Sequence, residues 1–196
     1  MKVVVVLAAV GLLLAIAAMV LYNRLVALRN RYRNAFSQID VQLRRRHDLI
    51  PNLVETARGY LRHEASTLEA VIKARAQAVA ASQGSDAHAG EAASMRAVAG
   101  AESQLTASLG RLLVVSENYP ELKADRSMQS LTEELTSTEN RIAFARQAFN
   151  DAVTEYNTSR EKFPATIVAA SFGFAPAELL ESPGEEVAAA PRVSFG

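Results

Sequence analysis

The sequence predicts an all-α protein: an N-terminal transmembrane helix followed by an antiparallel up-down-up-down four-helix bundle of long helices. Three observations carry that expectation. Val3 to Leu21 hold no charged or strongly polar side chain. Beyond them, apolar residues recur at spacings of three and four, the repeat of a helix buried along one face. The composition agrees, since nine Gly and six Pro in 196 residues are few, while the helix formers Ala, Leu, Arg, Glu and Gln are plentiful.

The apolar run, taken as a helix, measures about 28 Å, close to the hydrocarbon thickness of a bilayer. Tyr22 follows it, where an aromatic ring favours the headgroup level. Arg24, Arg29, Arg31, Arg33 and Arg44 to Arg46 come next, against Asp40 alone, whereas only Lys2 precedes the run. The positive-inside rule places the body in the cytoplasm and the N-terminus outside. Arg24, Arg29, Arg31 and Arg33 are then the topology determinants and the candidate contacts to anionic lipid headgroups. The rival is a cleaved signal peptide, for which Ala15-Ile16-Ala17 has the small-x-small form. Against it, the run exceeds the usual core length of about 7–15 residues, and its basic cluster follows rather than leads.

The clearest periodicity lies late in the chain. Met128, Leu131, Leu135, Thr138, Ile142, Ala145, Phe149, Ala152 and Tyr156 alternate spacings of three and four with no intervening Pro or Gly. That is a coiled-coil type of seam, on a helix beginning near Pro120 and ending before Pro164. An earlier seam joins Leu25, Leu28, Tyr32, Phe36, Ile39 and Leu43, and it closes on Arg44-Arg45-Arg46-His47, cations that suit a helix C-terminus. Asp48 is placed to cap a new helix with Pro51 in its first turn, so a break is expected at His47–Asp48, with one continuous kinked helix as the alternative. Ile50, Leu53, Val54, Ala57, Leu61, Leu68, Val71 and Val79 mark the next helix. The loop-like SQGSDAHAGEAAS follows, and then Met95, Val98, Leu105, Leu109 and Leu112.

The expected division is a transmembrane anchor over 1–22 and a helical domain over 23–163, with helices about 23–47, 49–81, 92–117 and 120–162 and a loop at 82–94. An apolar membrane-proximal segment at 164–181 and a disordered tail at 182–196 complete it. Ala165 to Phe174 is largely apolar but too short to span, so it should rest at the membrane interface or pack across the base of the bundle. Short connections favour antiparallel neighbours, and the small aliphatic seams favour a filled core.

Several runs resemble those of one known family. YNRLVALRNRYRNAFSQIDVQLRRRHDLIPNLVETARGY, SLTEELTSTENRIAFARQAFNDAVTEYN and FPATIVAASFGFAPAE, with ESQL at Glu102 and ENYPELKA at Glu117, occur in the order seen in LemA family proteins. The resemblance covers roughly residues 1–178. It implies a bacterial, single-pass, N-terminally anchored protein with an antiparallel helical body and its N-terminus outside. It implies no reaction and no catalytic residues. The loop at 82–94 and the Ala/Pro-containing tail depart from the family, at places that tolerate insertion.

The chain has no Cys, which removes disulfides, thiolate catalysis and Cys-type metal sites. Glu-x-x-His, the metal motif of bundles, is missing, and His47 with Asp48 reads as a helix end and a cap. Glu133, Glu134 and Glu139 read as a solvated, ion-paired face. Asn140, Asn150 and Asn157 recur near the late seam and suit register setting between helices. The Arg cluster has no nucleic-acid-binding fold or aromatic platform beside it, and phosphate loops and nucleophile elbows are missing. Lys+Arg and Asp+Glu balance at 21 each, so no overall charge points to nucleic acid.

The expected protein is therefore not an enzyme and uses no cofactor or metal. It is a single-pass scaffold or interaction protein of the bacterial cytoplasmic membrane. Its seam residues Met128, Leu131, Leu135, Ile142, Phe149 and Tyr156 hold the bundle together. Its partners are membrane lipid and a second copy or another membrane protein. The alternative is a periplasm-facing helical sensor or ligand-binding module, which would require a partly polar cavity between helices.

Overall fold

A computed structural model describes residues 1–181. These form six α-helices and no strand: α1 (Lys2–Arg58), α2 (Ala65–Ser82), α3 (Ala92–Ser116), α4 (Pro120–Ala124), α5 (Arg126–Glu161) and α6 (Ala165–Ser171). The tail expected over 182–196 lies outside the described residues.

The first difference from the sequence expectation is the length of α1. Helix does not break at His47–Asp48; it runs unbroken from Lys2 to Arg58 with Pro51 inside it. Pro51 has no N–H to give the His47 carbonyl, the bond an ordinary residue would make there. Arg75 of α2 supplies the missing donor, its Nε lying 2.7 Å from the His47 oxygen. The turn comes later, over Gly59 to Glu64, where the Tyr60 and Leu61 amides both close on the Ala57 carbonyl. Leu61, 1% exposed, plugs this corner into the core. The helix expected over 49–81 is thus divided between α1 and α2. The one expected over 120–162 is also divided: α4 stops at Ala124, and Asp125 caps α5 by accepting from the Met128 amide at 3.0 Å.

Two hydrophobic clusters stack along α1. The nearer one joins Leu25, Tyr32, Phe36, Ile39 and Leu43 of α1 to Ile142, Phe149, Val153 and Tyr156 of α5, with Met95, Val98, Val168 and Phe174 closing it. The farther one joins Ile50, Leu53, Val54 and Ala57 to Leu68 and Val71 of α2, to Leu105, Leu109 and Leu112 of α3, and to Leu122 and Met128. α5 runs antiparallel to α1, since Tyr32 meets Tyr156 (ring centroids 5.2 Å), Phe36 meets Phe149 (5.4 Å) and Tyr60 meets Asp125 (3.1 Å). The rings pack edge to face, the arrangement their quadrupoles favour. α2 and α3 form a hairpin against the farther half of α1.

Of the seam residues, Met128, Ile142, Phe149 and Tyr156 are buried, whereas Leu131 and Leu135 are half-buried against the farther cluster. Thr138 and Ala152 are buried between them in sequence. Val3 to Ala17 projects exposed beyond the nearer cluster, against which Ala18 and Leu21 are half-buried.

Candidate functional site

Three polar arrangements stand out against this apolar frame. The first lies where the two clusters meet. Arg46 and His47 point inward from α1 and are 4% and 3% exposed. Between them they take both oxygens of Glu102 on α3: Arg46 Nη1 donates to Oε2 at 3.1 Å, and His47 Nε2 lies 2.7 Å from Oε1. Arg46 Nη2 donates to the Thr106 hydroxyl at 2.7 Å, and Nη1 stands 3.3 Å from Glu139 of α5. One buried carboxylate thus joins two α1 side chains to α3, and one guanidinium joins α1 to both α3 and α5. A buried ion group is tolerated only when its hydrogen bonds are filled in this way. The Thr106 hydroxyl of the cluster is engaged by the Arg46 guanidinium. No group of three His, Cys, Asp or Glu able to hold a metal occurs among the described residues.

From sequence Arg46 and His47 read as a helix end, and Glu102 is given no role in the core. A signal was present. Glu102 stands on the apolar spacing of its own helix, between Val98 and Leu105, so a carboxylate was being carried into the core.

The second arrangement is the clamped C-terminal segment. After α6 the chain turns at Gly173 (φ +69°) and runs extended along α5. Asn157 donates from Nδ2 to the Ala177 carbonyl (2.8 Å) and accepts from the Ala177 amide (3.0 Å). Asn150 does the same to Leu180, at 3.1 and 2.9 Å. The Tyr156 hydroxyl donates to the Ala175 carbonyl at 2.8 Å, and the Glu178 amide donates to the Gly90 carbonyl at 2.7 Å. Burial first, and then Tyr32, push the Tyr156 phenol above its ordinary pKa; Arg160, Arg29 and Arg33 oppose this. It therefore stays a donor across the physiological range. These asparagines were read from sequence as register-setting residues between helices; their amides instead hold an extended chain.

The third arrangement is the end of the body that adjoins the apolar run. Tyr22 makes edge contacts with Phe172 and Phe174 at 5.0 and 5.4 Å. The Arg29 guanidinium lies over the Phe174 ring, 5.2 Å from its centroid. Arg24, Arg31 and Arg33 are exposed, and Arg31 pairs at the surface with Glu155 of α5. The four arginines singled out from sequence are therefore not equivalent: Arg29 and Arg31 have partners in the fold, and only Arg29 is half-buried. α6 turns Ala165, Val168 and Ala169 into the core and leaves Phe163, Ile167 and Phe172 exposed.

Fold and polar groups together define an all-helical protein with an apolar N-terminal helix that is a candidate membrane span. A profile of the LemA family matches residues 35–195, and the chain belongs to that family. Among its relatives are the magnetosome protein MamQ of Magnetospirillum gryphiswaldense, 27% identical over 191 residues (84% of this chain and 70% of the relative), and the magnetosome protein MamQ 1 of Paramagnetospirillum magneticum, 26% identical over 175 residues. The latter alignment covers 82% of this chain, which spans 64% of the length of that relative.

Proposed function

We propose that the chain is a non-enzymatic scaffold held to the bacterial cytoplasmic membrane by one N-terminal span, with its N-terminus outside and a four-helix bundle in the cytoplasm. The observation that carries this reading is the course of α1. Its apolar stretch leaves every residue unburied, yet the same unbroken helix enters the core at Leu25. Only Ala18 and Leu21, at its inner end, pack against the body, and an exposed apolar run of this length is matched by lipid. Continuity makes α1 a rigid stalk, so the bundle would stand at a fixed height and angle on the bilayer.

The adjoining end of the body supports the same placement. Phe163, Ile167 and Phe172 are exposed on and beside α6, Phe172 meets Tyr22, and exposed apolar side chains at this end suit an interfacial contact. Arg24 lies just beyond, and in this reading it meets anionic headgroups. Glu102, Arg46 and His47 act as a fastener between α1 and α3 within the bundle. A relative named for a cell structure rather than a reaction is in keeping with an assembly role.

The test is a compartment-dependent reporter fused after Gly196, with protease treatment of intact spheroplasts. A protected, cytoplasmic reporter is expected. A periplasmic reporter would reverse the orientation and put the sensor reading first, and a mature chain beginning near Ala18 would remove the anchor.

A further inference from the structure

The clamp on α5 has the features of a peptide-binding groove that already holds a ligand. Residues 174–180 adopt neither helix nor strand, and only Phe174, Ala177 and Leu180 are buried, each at 7% exposure or less. Burial every third residue puts Phe174, Ala177 and Leu180 on the inner side of a chain that is neither helix nor strand and makes no hydrogen bonds within itself. Its free main-chain groups are the ones the groove engages. Asn150 and Asn157 are seven residues apart, about 10.5 Å along a helix. Residues 177 and 180 are three apart, about 9–10 Å in an extended chain. The two amides are therefore in register with the repeat of the extended chain, and each reads one residue's N–H and C=O together.

The side-chain pockets add selectivity. Phe174 sits between Tyr22 and the Arg29 guanidinium. At the middle pocket the wall is Gly90. A Cβ added there would come within 3.0 Å of both the Ala177 Cβ and the Tyr32 ring, so only a small residue fits opposite it. Leu180 fills the last pocket, at the nearer cluster. The groove thus reads aromatic-x-x-small-x-x-aliphatic, and most of its polar contacts address the main chain.

We propose that this groove is a binding site for an extended peptide of the pattern Phe-x-x-Ala-x-x-Leu, and that its ligand in trans is the Phe174–Leu180 segment of a second copy of this chain. The second copy rests on the tethered-scaffold reading: copies anchored in one bilayer share an orientation and carry segment and groove at the same height. The segment is joined to α6 through Gly173, a residue free to take other backbone angles. The clamp and pocket contacts would be the same whichever copy supplied the segment, and this equivalence is the condition for exchange of an element between protomers.

The test uses the full chain in detergent. Replacing two anchors, Ala177→Asp with Leu180→Asp, should empty the groove in cis while leaving α1 to α5 unchanged. A fluorescent peptide spanning 172–181 should then bind saturably by anisotropy. Adding Asn150→Ala with Asn157→Ala should weaken that binding at least tenfold, and a peptide carrying Ala177→Leu should bind at least tenfold more weakly. A differently tagged wild-type copy should co-purify with the emptied chain and lose it on the same asparagine substitutions. Leu180→Ala is the milder opening variant should the double replacement unfold the protein, as judged by helical circular dichroism. A folded, emptied chain that does not bind the peptide overturns the site. Peptide binding without co-purification of the second copy overturns the choice of ligand. Neither readout depends on which side of the membrane the body occupies, so a reversed topology would strike the proposed function and leave this site standing.

Discussion

Glu102 of α3 is shared by two neighbouring residues of α1, with Arg46 on one carboxylate oxygen at 3.1 Å and His47 on the other at 2.7 Å. All three side chains are buried. Removing the shared partner leaves both α1 groups desolvated and short of a hydrogen bond, and breaking a buried ion pair from one side costs about 3–5 kcal/mol. Glu102→Ala is expected to destabilise the protein by that order, read from thermal or denaturant unfolding in detergent. Replacing Glu102 and Arg46 together with Leu should cost clearly less, because the buried Arg46 charge is then not stranded, and what loses a partner is the half-exposed Glu139 and the His47 ring. Equal losses in the two variants would show that the cluster is not coupled as the distances imply.

Pro51 and Arg75 are linked through the His47 carbonyl, whose helical donor Pro51 cannot provide and Arg75 does. Arg75→Ala should destabilise the chain by about 1 kcal/mol, the ordinary net worth of such a bond. In a Pro51→Ala background the backbone N–H returns, and the same substitution should cost much less. A double-mutant cycle measures this coupling. Additive effects would mean that Arg75 does not repair the helix at this point.

This pair also shows where the sequence stopped being legible. A cationic run, Asp48 and Pro51 in succession carry the local signals of one helix ending and another starting. Those signals were outweighed by a donor that lies 28 residues further on, and nothing local marks it. The same limit applies to Asn150 and Asn157. Their position beside the seam was visible, but their partners belong to a segment with no periodicity of its own. What was legible was the spacing of large apolar residues. Ile142, Phe149 and Tyr156 face the core because the three-four repeat admits few other arrangements, and Val3 to Ala17 stands exposed, as its unbroken apolar composition leads one to expect of a span.

Gly90 closes the middle of the C-terminal clamp at φ +84°, with room for no side chain. Gly90→Ala would impose a left-handed conformation costing about 1–2 kcal/mol and drive a methyl against Ala177 and Tyr32, for which overpacking adds about 1–3 kcal/mol. The expected result is a loss of at least 2 kcal/mol in unfolding free energy on those two terms, with faster hydrogen exchange at the Ala177, Glu178 and Leu180 amides. Gly84, also at positive φ but with open space around it, should feel only the backbone strain on the same change. Equal effects at the two glycines would remove the close approach as a structural constraint.

Two carboxylates should give opposite pH signatures. Partial burial, and after it the carboxylate of Asp40, raise Asp86 above the ordinary Asp value, with Arg44 opposing. Its folded form therefore binds a proton more readily than the unfolded chain. The stability it contributes is present below the unfolded pKa and is lost as pH rises through the folded one. Asp86→Asn should accordingly raise the unfolding temperature at neutral pH, and that gain should vanish on acidification below about pH 4, the ordinary Asp range. Asp125 goes the other way: the Met128 amide, helped by the Tyr60 hydroxyl and the Ser127 amide, holds its carboxyl below the ordinary value. Its contribution is present above the unfolded pKa and is lost as pH falls through the folded one. Asp125→Ala should lower the unfolding temperature at neutral pH, and the deficit should narrow as the medium turns acid. Unfolding curves of the three proteins from neutral to acid pH would separate the two cases. Parallel curves would mean that neither carboxylate titrates differently in the folded chain.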